Sequence, residues 1–198
     1  MRTITTITTT TVYSFDELSE GAKEKAIEDT RNFEAEYRLD EIVDCMKSAM
    51  DKMGITIKDY SISIDGSGYI NLSVVDDDLE GVRAYRYIVN NFFSEVNKKK
   101  LYYKEWEKRR KSNLDRKDWM GDCPFTGVCY DYGVKSAWED FCAELKQGER
   151  PTVRDFLDEL ESHYLDMQAK EYYGYDEDAA RELSEANEYE YLEDGTLY

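Results

Sequence analysis

Histidine is almost missing from this chain, with His163 the one example among 198 residues. That scarcity excludes multi-histidine metal centres and leaves a single candidate base for any Cys–His nucleophilic pair. No sequence context supports such a pair, so His163 reads as a structural or surface residue. Cysteine is sparse too: Cys45, Cys123, Cys129 and Cys142 have no disulfide-framework density for this length. Cys123 and Cys129 are not at the spacing of a zinc knuckle. Cys142 and His163 would be needed to complete four ligands, and the ordinary reading is buried thiols. No apolar run approaches the ~18 residues of a membrane span, and no charged-then-apolar leader opens the sequence. A cytoplasmic location with reduced thiols is expected. Also missing are a Gly-rich phosphate loop, a nucleophile elbow and a metalloprotease helix motif. Asp76-Asp77-Asp78 with Glu80 offers hard oxygens but lacks the glycine and closing glutamate of an EF-hand, so it reads as a solvated connector. The expectation is a protein that is not an enzyme and takes no metal or cofactor.

What is abundant is charge, and it is segregated. The chain holds 44 acidic and 26 basic side chains, a net of −18. Residues 83–117 run against that trend with twelve Lys/Arg and four acids, so the remainder is more acidic still. From Pro151 onward there are fifteen acids and three bases in 48 residues. Seventeen tyrosines and an aromatic share of 14% argue against disorder, since acidic disordered chains are aromatic-poor. An acidic folded chain favours basic proteins as partners and disfavours bulk contact with nucleic acid or anionic membrane.

The element pattern predicts a single α+β domain over 1–198, with sub-lobes 1–81 and 82–198 as a finer division. Arg2–Phe15 is rich in Thr, Ile and Val and predicts an extended strand. Asp16 and Ser19 then cap a helix with the stripe Leu18, Ala22, Ala26, Phe33, Tyr37, and a second helix follows over Leu39–Met53, stopped by Gly54. Ile55–Ile64 and Tyr69–Val75 flank Asp65-Gly66-Ser67-Gly68 as a hairpin, which the opening strand joins in a small antiparallel sheet. A long basic helix begins after Gly81, with Tyr85, Ile88, Val89, Phe92, Val96, Tyr103 and Trp106 on its apolar side. Ser112–Gly133 reads as loop, and Val134–Leu145 as a helix ended by Gly148. Thr152 with Asp155 resembles a capping box for a helix with the stripe Val153, Phe156, Leu157, Leu160, Tyr164, Met167. An acidic helix near Asp178–Asn187 and a terminal hairpin at Asp194-Gly195 complete the pattern.

Two surfaces are candidates for binding. The acidic one comprises Asp155, Asp158, Glu159, Asp176, Glu177, Asp178, Glu188 and Glu190, with Tyr173, Tyr175 and Tyr189 as aromatic anchors. Carboxylates recurring every few residues imitate a phosphate backbone. The basic one comprises Lys98, Lys99, Lys100, Lys104, Lys108 and Arg109, interleaved with Tyr102, Tyr103 and Trp106, the makeup of a phosphate-tracking, base-stacking surface.

Three segments carry a resemblance: Tyr13-Ser14-Phe15-Asp16-Glu17-Leu18-Ser19 followed by Ala22 and Ala26, Asp122-Cys123-Pro124-Phe125-Thr126-Gly127-Val128-Cys129-Tyr130-Asp131, and Glu185–Gly195 (EANEYEYLEDG). They resemble segments of small proteins from phages and mobile elements of Gram-positive gut bacteria, and the chain is similar to type II-A anti-CRISPR inhibitors. The resemblance implies a phage-encoded anti-defence protein that binds a type II CRISPR effector nuclease with its guide RNA and blocks DNA binding or cleavage. It supplies no residue-level site, so the acidic residues above rest on charge and aromatic placement. The alternative expectation is a nucleic-acid-binding accessory or regulatory phage protein working through residues 98–111.

Overall fold

The structure, a computed structural model, describes residues 9–94, 123–127 and 131–198. Among them are the helices α1 (Glu20–Met53), α2 (Val82–Asn91), α3 (Tyr132–Gln147), α4 (Val153–Tyr173) and α5 (Glu177–Ala186). The strands β1 (Thr56–Ile62) and β2 (Gly68–Ser73) form a two-stranded antiparallel sheet, so the fold is α+β as expected. The chain divides into two compact units, Met1–Tyr37 with Glu171–Tyr198, and Arg38–Lys170. The 81/82 sub-lobe boundary falls inside the larger one.

The expected pair of helices over residues 16–53 is one continuous helix. No Pro interrupts the run and no Gly occurs between Gly21 and Gly54, so the backbone has no reason to stop earlier. Gly54 does stop it: at φ +71° its N–H donates to Asp51 O, while Ile55 N–H donates to Met50 O. Gly148 closes α3 in the same way at φ +90°, through Glu144 and Leu145.

In the larger unit the hairpin forms with Thr56 opposite Ser73 and Ile62 opposite Gly68, and an irregularity between Ile57 and Asp59. Gly68 is obligatory there, because a Cβ would lie 1.9 Å from Ser61 O. Ile70 and Leu72 alternate into the core from β2. The core continues with Ile42, Met46 and Met50 of α1, Ile88 of α2, Trp138 and Phe141 of α3, and Phe156, Leu157, Leu160 and Tyr164 of α4. The expected long helix after Gly81 is interrupted, since α2 ends at Asn91 and Phe92–Phe93 form a turn. Two adjacent residues on a helix point about 100° apart; the turn lets both rings be buried, at 2% and 0% exposure.

The N-terminus of α4 is closed as the sequence suggests. Thr152 N–H and Oγ1–H donate to Asp155 Oδ2 at 2.7 and 2.8 Å, and Asp155 N–H returns a bond to Thr152 Oγ1. Val153 and Arg154 N–H groups donate to Leu79 O and Asp77 O in the connector that contains Asp76–Asp78. α3 and α4 pack side by side and antiparallel, with Gly133 near Met167 and Phe141 against Phe156. A Cβ on Gly133 would stand 3.3 Å from Met167 Sδ and 3.8 Å from His163 Cβ, so glycine permits the close approach.

The smaller unit has its own core of Phe15, Leu18, Ala22, Ala26, Ala180 and Tyr191, with Tyr13, Ile27, Tyr175 and Tyr189 packed against it. The expected opening strand is not formed over its described part. Residues 9–12 are irregular, and Tyr13 makes a single antiparallel bridge to Tyr191 through a reciprocal pair of 2.9 Å bonds. β-branched residues favour extended backbone, but a strand needs a partner, and β1 and β2 pair with each other. A 3-10 turn at Phe15–Glu17 follows, held by a Ser14–Glu17 capping box. Phe33 and Tyr37 leave the expected stripe and stand 64% and 56% exposed, because the small core has no described member on α1 beyond Ile27. The terminal hairpin forms: Leu192 N–H donates to Thr196 O, and Tyr191 bridges Leu197.

Two tests follow from this packing. Phe156→Ala should lower the unfolding free energy of the larger unit by about 3–5 kcal/mol, measured by urea denaturation. The second concerns Lys25, whose ammonium lies 2.8 Å from Asp194 Oδ2 and, with Thr196, holds that carboxyl well below the usual carboxylate range. A depressed folded pKa contributes stability above the ordinary value, lost as pH falls through the folded one. Asp194→Asn should therefore be less stable than the parent at neutral pH, with the difference shrinking on acidification below about pH 4, in paired thermal melts.

Candidate functional site

Most of the expected acidic residues have structural work inside their own unit. On α4 of the larger unit, Asp155 is the capping partner of Thr152. Asp158 binds Arg154, whose guanidinium also donates to Leu72 O of β2. Glu159 faces His163 one turn later, at 3.9 Å. Glu161 also serves the fold, accepting Ile70 N–H at 2.9 Å. Crowded carboxylates leave a mark at Glu144, whose carboxyl is pushed up by burial and then by Glu149, Asp155, Glu159 and Asp140.

In the smaller unit Asp176 caps α5 by accepting Ala179 N–H, and Glu177 and Asp178 both bind Arg181 at 2.8 Å. Arg181 also meets Asp16 at 3.0 Å and lies over the Phe15 ring. Of the tyrosine anchors, Tyr175 and Tyr189 pack on the small core, and burial pushes the Tyr175 hydroxyl up to about 12. Tyr173 alone among them stands open, at 69% exposure.

Glu188, Tyr189 and Glu190 line a groove of about 490 Å³. The segment 12–17 lines it too, with Arg181, Ser184 and Glu185 of α5. Among the described residues five carboxylates thus line it, those of Asp16, Glu17, Glu185, Glu188 and Glu190, against the one guanidinium of Arg181. Ser14 hydrogen bonds hold the Glu17 carboxyl below its ordinary value, so it stays ionised at neutral pH. The field in the groove is negative.

Glu188 has a backbone conformation normally left to glycine, at φ +54°. It terminates α5: Glu188 N–H donates to Glu185 O and Tyr189 N–H to Ser184 O, the pairing in which glycine is the usual residue. Left-handed backbone at a non-glycine residue is strained, and such residues cluster at functional sites.

The structure therefore divides the acidic and aromatic candidates between the two units: Asp155, Asp158 and Glu159 belong to the larger, and residues 173–190 to the smaller. Sequence reasoning does not single out Asp16, Glu17, Glu185 and Arg181 as groove residues, because the wall formed by 12–17 lies some 165 residues from Arg181 along the chain. The basic candidates Lys98, Lys99, Lys100, Lys104, Lys108 and Arg109 lie outside the described residues, as does Cys129. Cys142 is half-buried and its thiol is pushed up to about 11, mainly by burial, which suits an inert core thiol.

The segment 123–127 is organised by a buried carboxylate. Asp131, 1% exposed, accepts Phe125 N–H at 2.7 Å and Thr126 N–H at 2.8 Å. Ser48 and Lys52 of α1 donate to Phe125 O, fixing the buried Phe125 ring. In this segment the Cys-Pro-Phe-Thr-Gly pattern has a structural role.

Among the described residues, no helix is long and apolar enough to cross a membrane. No protein-family model, curated protein or solved structure matches the chain.

Glu188→Gly should raise thermal stability, by up to about 1–2 kcal/mol, because it relieves the left-handed strain; a melt that is unchanged or lowered would show that the Glu188 side chain itself stabilises the cap.

Proposed function

We propose that this protein acts by binding, not by catalysis, and that the acid-lined groove of its smaller unit engages a basic partner. The observation that carries the reading is the groove's five carboxylates, which outnumber its one described cation, with Glu188 held there at a strained cap. A cleft lined by one sign of charge focuses its field and attracts the opposite charge. The partner that fits the charge and the sequence resemblance is a basic nuclease, a type II CRISPR effector loaded with its guide RNA in the bacterial host cell. The protein would be a phage-encoded inhibitor that occupies the effector's positively charged DNA-binding surface in place of DNA. Tyr189 at the groove offers a rigid amphipathic contact beside the charges.

The segregated charge of residues 83–117 supports a second reading, an accessory protein that touches nucleic acid through Lys98–Lys111. A gel shift with the protein alone separates the two: retention of DNA, abolished by reversing Lys99, Lys104 and Lys108, favours the second.

The groove itself is tested by reversing Glu185, Glu188 and Glu190 to Lys together and measuring affinity for the purified effector–guide complex. Like charges placed against the partner cost several kcal/mol, so binding should weaken ~100-fold or more. Unaltered affinity in a correctly folded triple variant would place the contact elsewhere.

A further inference from the structure

α3 and α4 bring three metal-ligating side chains together in the larger unit. Glu159 and His163 are four residues apart on α4 and so share one helix face. Asp140 reaches the same point from α3. His163 Nε2 lies 3.0 Å from Asp140 Oδ2 and 3.9 Å from Glu159 Oε2, and the donor atoms of all three lie within 4.8 Å of one another.

We infer that Asp140, Glu159 and His163 form a binding site for a divalent first-row transition cation, with Zn²⁺ the best match to the donor set. Zinc bonds to nitrogen and carboxylate oxygen are about 2.0–2.2 Å long, which puts tetrahedral ligand atoms roughly 3.3 Å apart. The His163–Asp140 separation is already near that spacing, and Glu159 has to close by at most about 1.5 Å, within the reach of a side-chain torsion. The imidazole selects against magnesium and calcium, which take oxygen ligands. On binding, the cation would stand between Nε2 and the Asp140 carboxylate, where the two now meet at 3.0 Å. It also offsets repulsion among the carboxylates of Asp140, Glu159 and the nearby Glu144.

The three donors leave at least one coordination position open. Asp140 and Glu159 side chains are 54% and 43% exposed and that of His163 is 23% exposed, so water or a ligand atom can reach the ion from outside. A cation held this way staples α3 to α4 where Gly133, two turns before Asp140, already brings the helices close.

The test uses the full chain with zinc chloride in isothermal titration, and cobalt(II) chloride as the spectroscopic probe. The parent protein should bind one zinc per chain at this site, and its melting temperature should rise with added zinc. His163→Ala and Asp140→Asn should each weaken binding by more than the roughly tenfold that loss of even an outer partner of a ligand causes. Circular dichroism checks that both variants remain folded, as expected for side chains at the surface. Cys123→Ser should bind as the parent does, and the cobalt complex should show no thiolate charge-transfer band. Zinc affinity unchanged in His163→Ala, a thiolate band, or no zinc binding by the parent protein would each overturn the inference.

Discussion

The larger unit depends on an aromatic cluster that no single element could form. Phe93 lies 5.0 Å from Trp138, 5.8 Å from Phe125 and 6.1 Å from Phe156, ring centre to ring centre. Trp138 stacks on Phe141, which meets Phe156 edge to face. These rings come from the turn after α2, the segment 123–127, α3 and α4. Each ring buries a large apolar area, and edge-to-face pairing adds to it. The turn at Phe92–Phe93, the Asp131 carboxylate under Phe125 and Gly133 between α3 and α4 are all conditions for that cluster. Its placement also determines where α4 presents its polar side, and therefore where Asp140 meets Glu159 and His163.

With the interior taken by rings and aliphatic groups, the acidic excess must lie outside, and the fold uses much of it. Asp155 and Asp176 satisfy helix N-termini, Glu161 satisfies a strand N–H, Arg154 holds Asp158, and Arg181 collects Asp16, Glu177 and Asp178. Such exposed pairs add little stability individually. They do decide which acids remain available. The groove of the smaller unit keeps five carboxylates about one described guanidinium, a concentration of charge that composition alone does not locate.

Features encoded within a few residues are legible in the sequence. The Thr152–Asp155 cap, the glycine stops at Gly54 and Gly148, the hairpin around Asp65–Gly68 and the stripe of α4 all depend on local spacing. What is not legible depends on partners far along the chain. Thr-rich residues predict a strand, yet Tyr13 finds only Tyr191 to pair with. Phe33 and Tyr37 have helical spacing, yet no described core reaches them. Residue types alone offer His163 Cys142 as a fellow ligand, whereas packing gives it Asp140 and Glu159. The groove is hidden for the same reason, since its walls are joined through the Arg181–Asp16 contact.

Binding of a basic nuclease by charge presented in place of DNA is the proposal on which the functional reading rests. The dissociation constant for a purified type II effector–guide complex, followed from low to high salt with displacement of labelled target DNA read in parallel, probes it without intermediaries. DNA release at low salt is expected, with an affinity that falls steeply as salt rises. An affinity that stays constant across that range, with DNA still held, would rule the mechanism out.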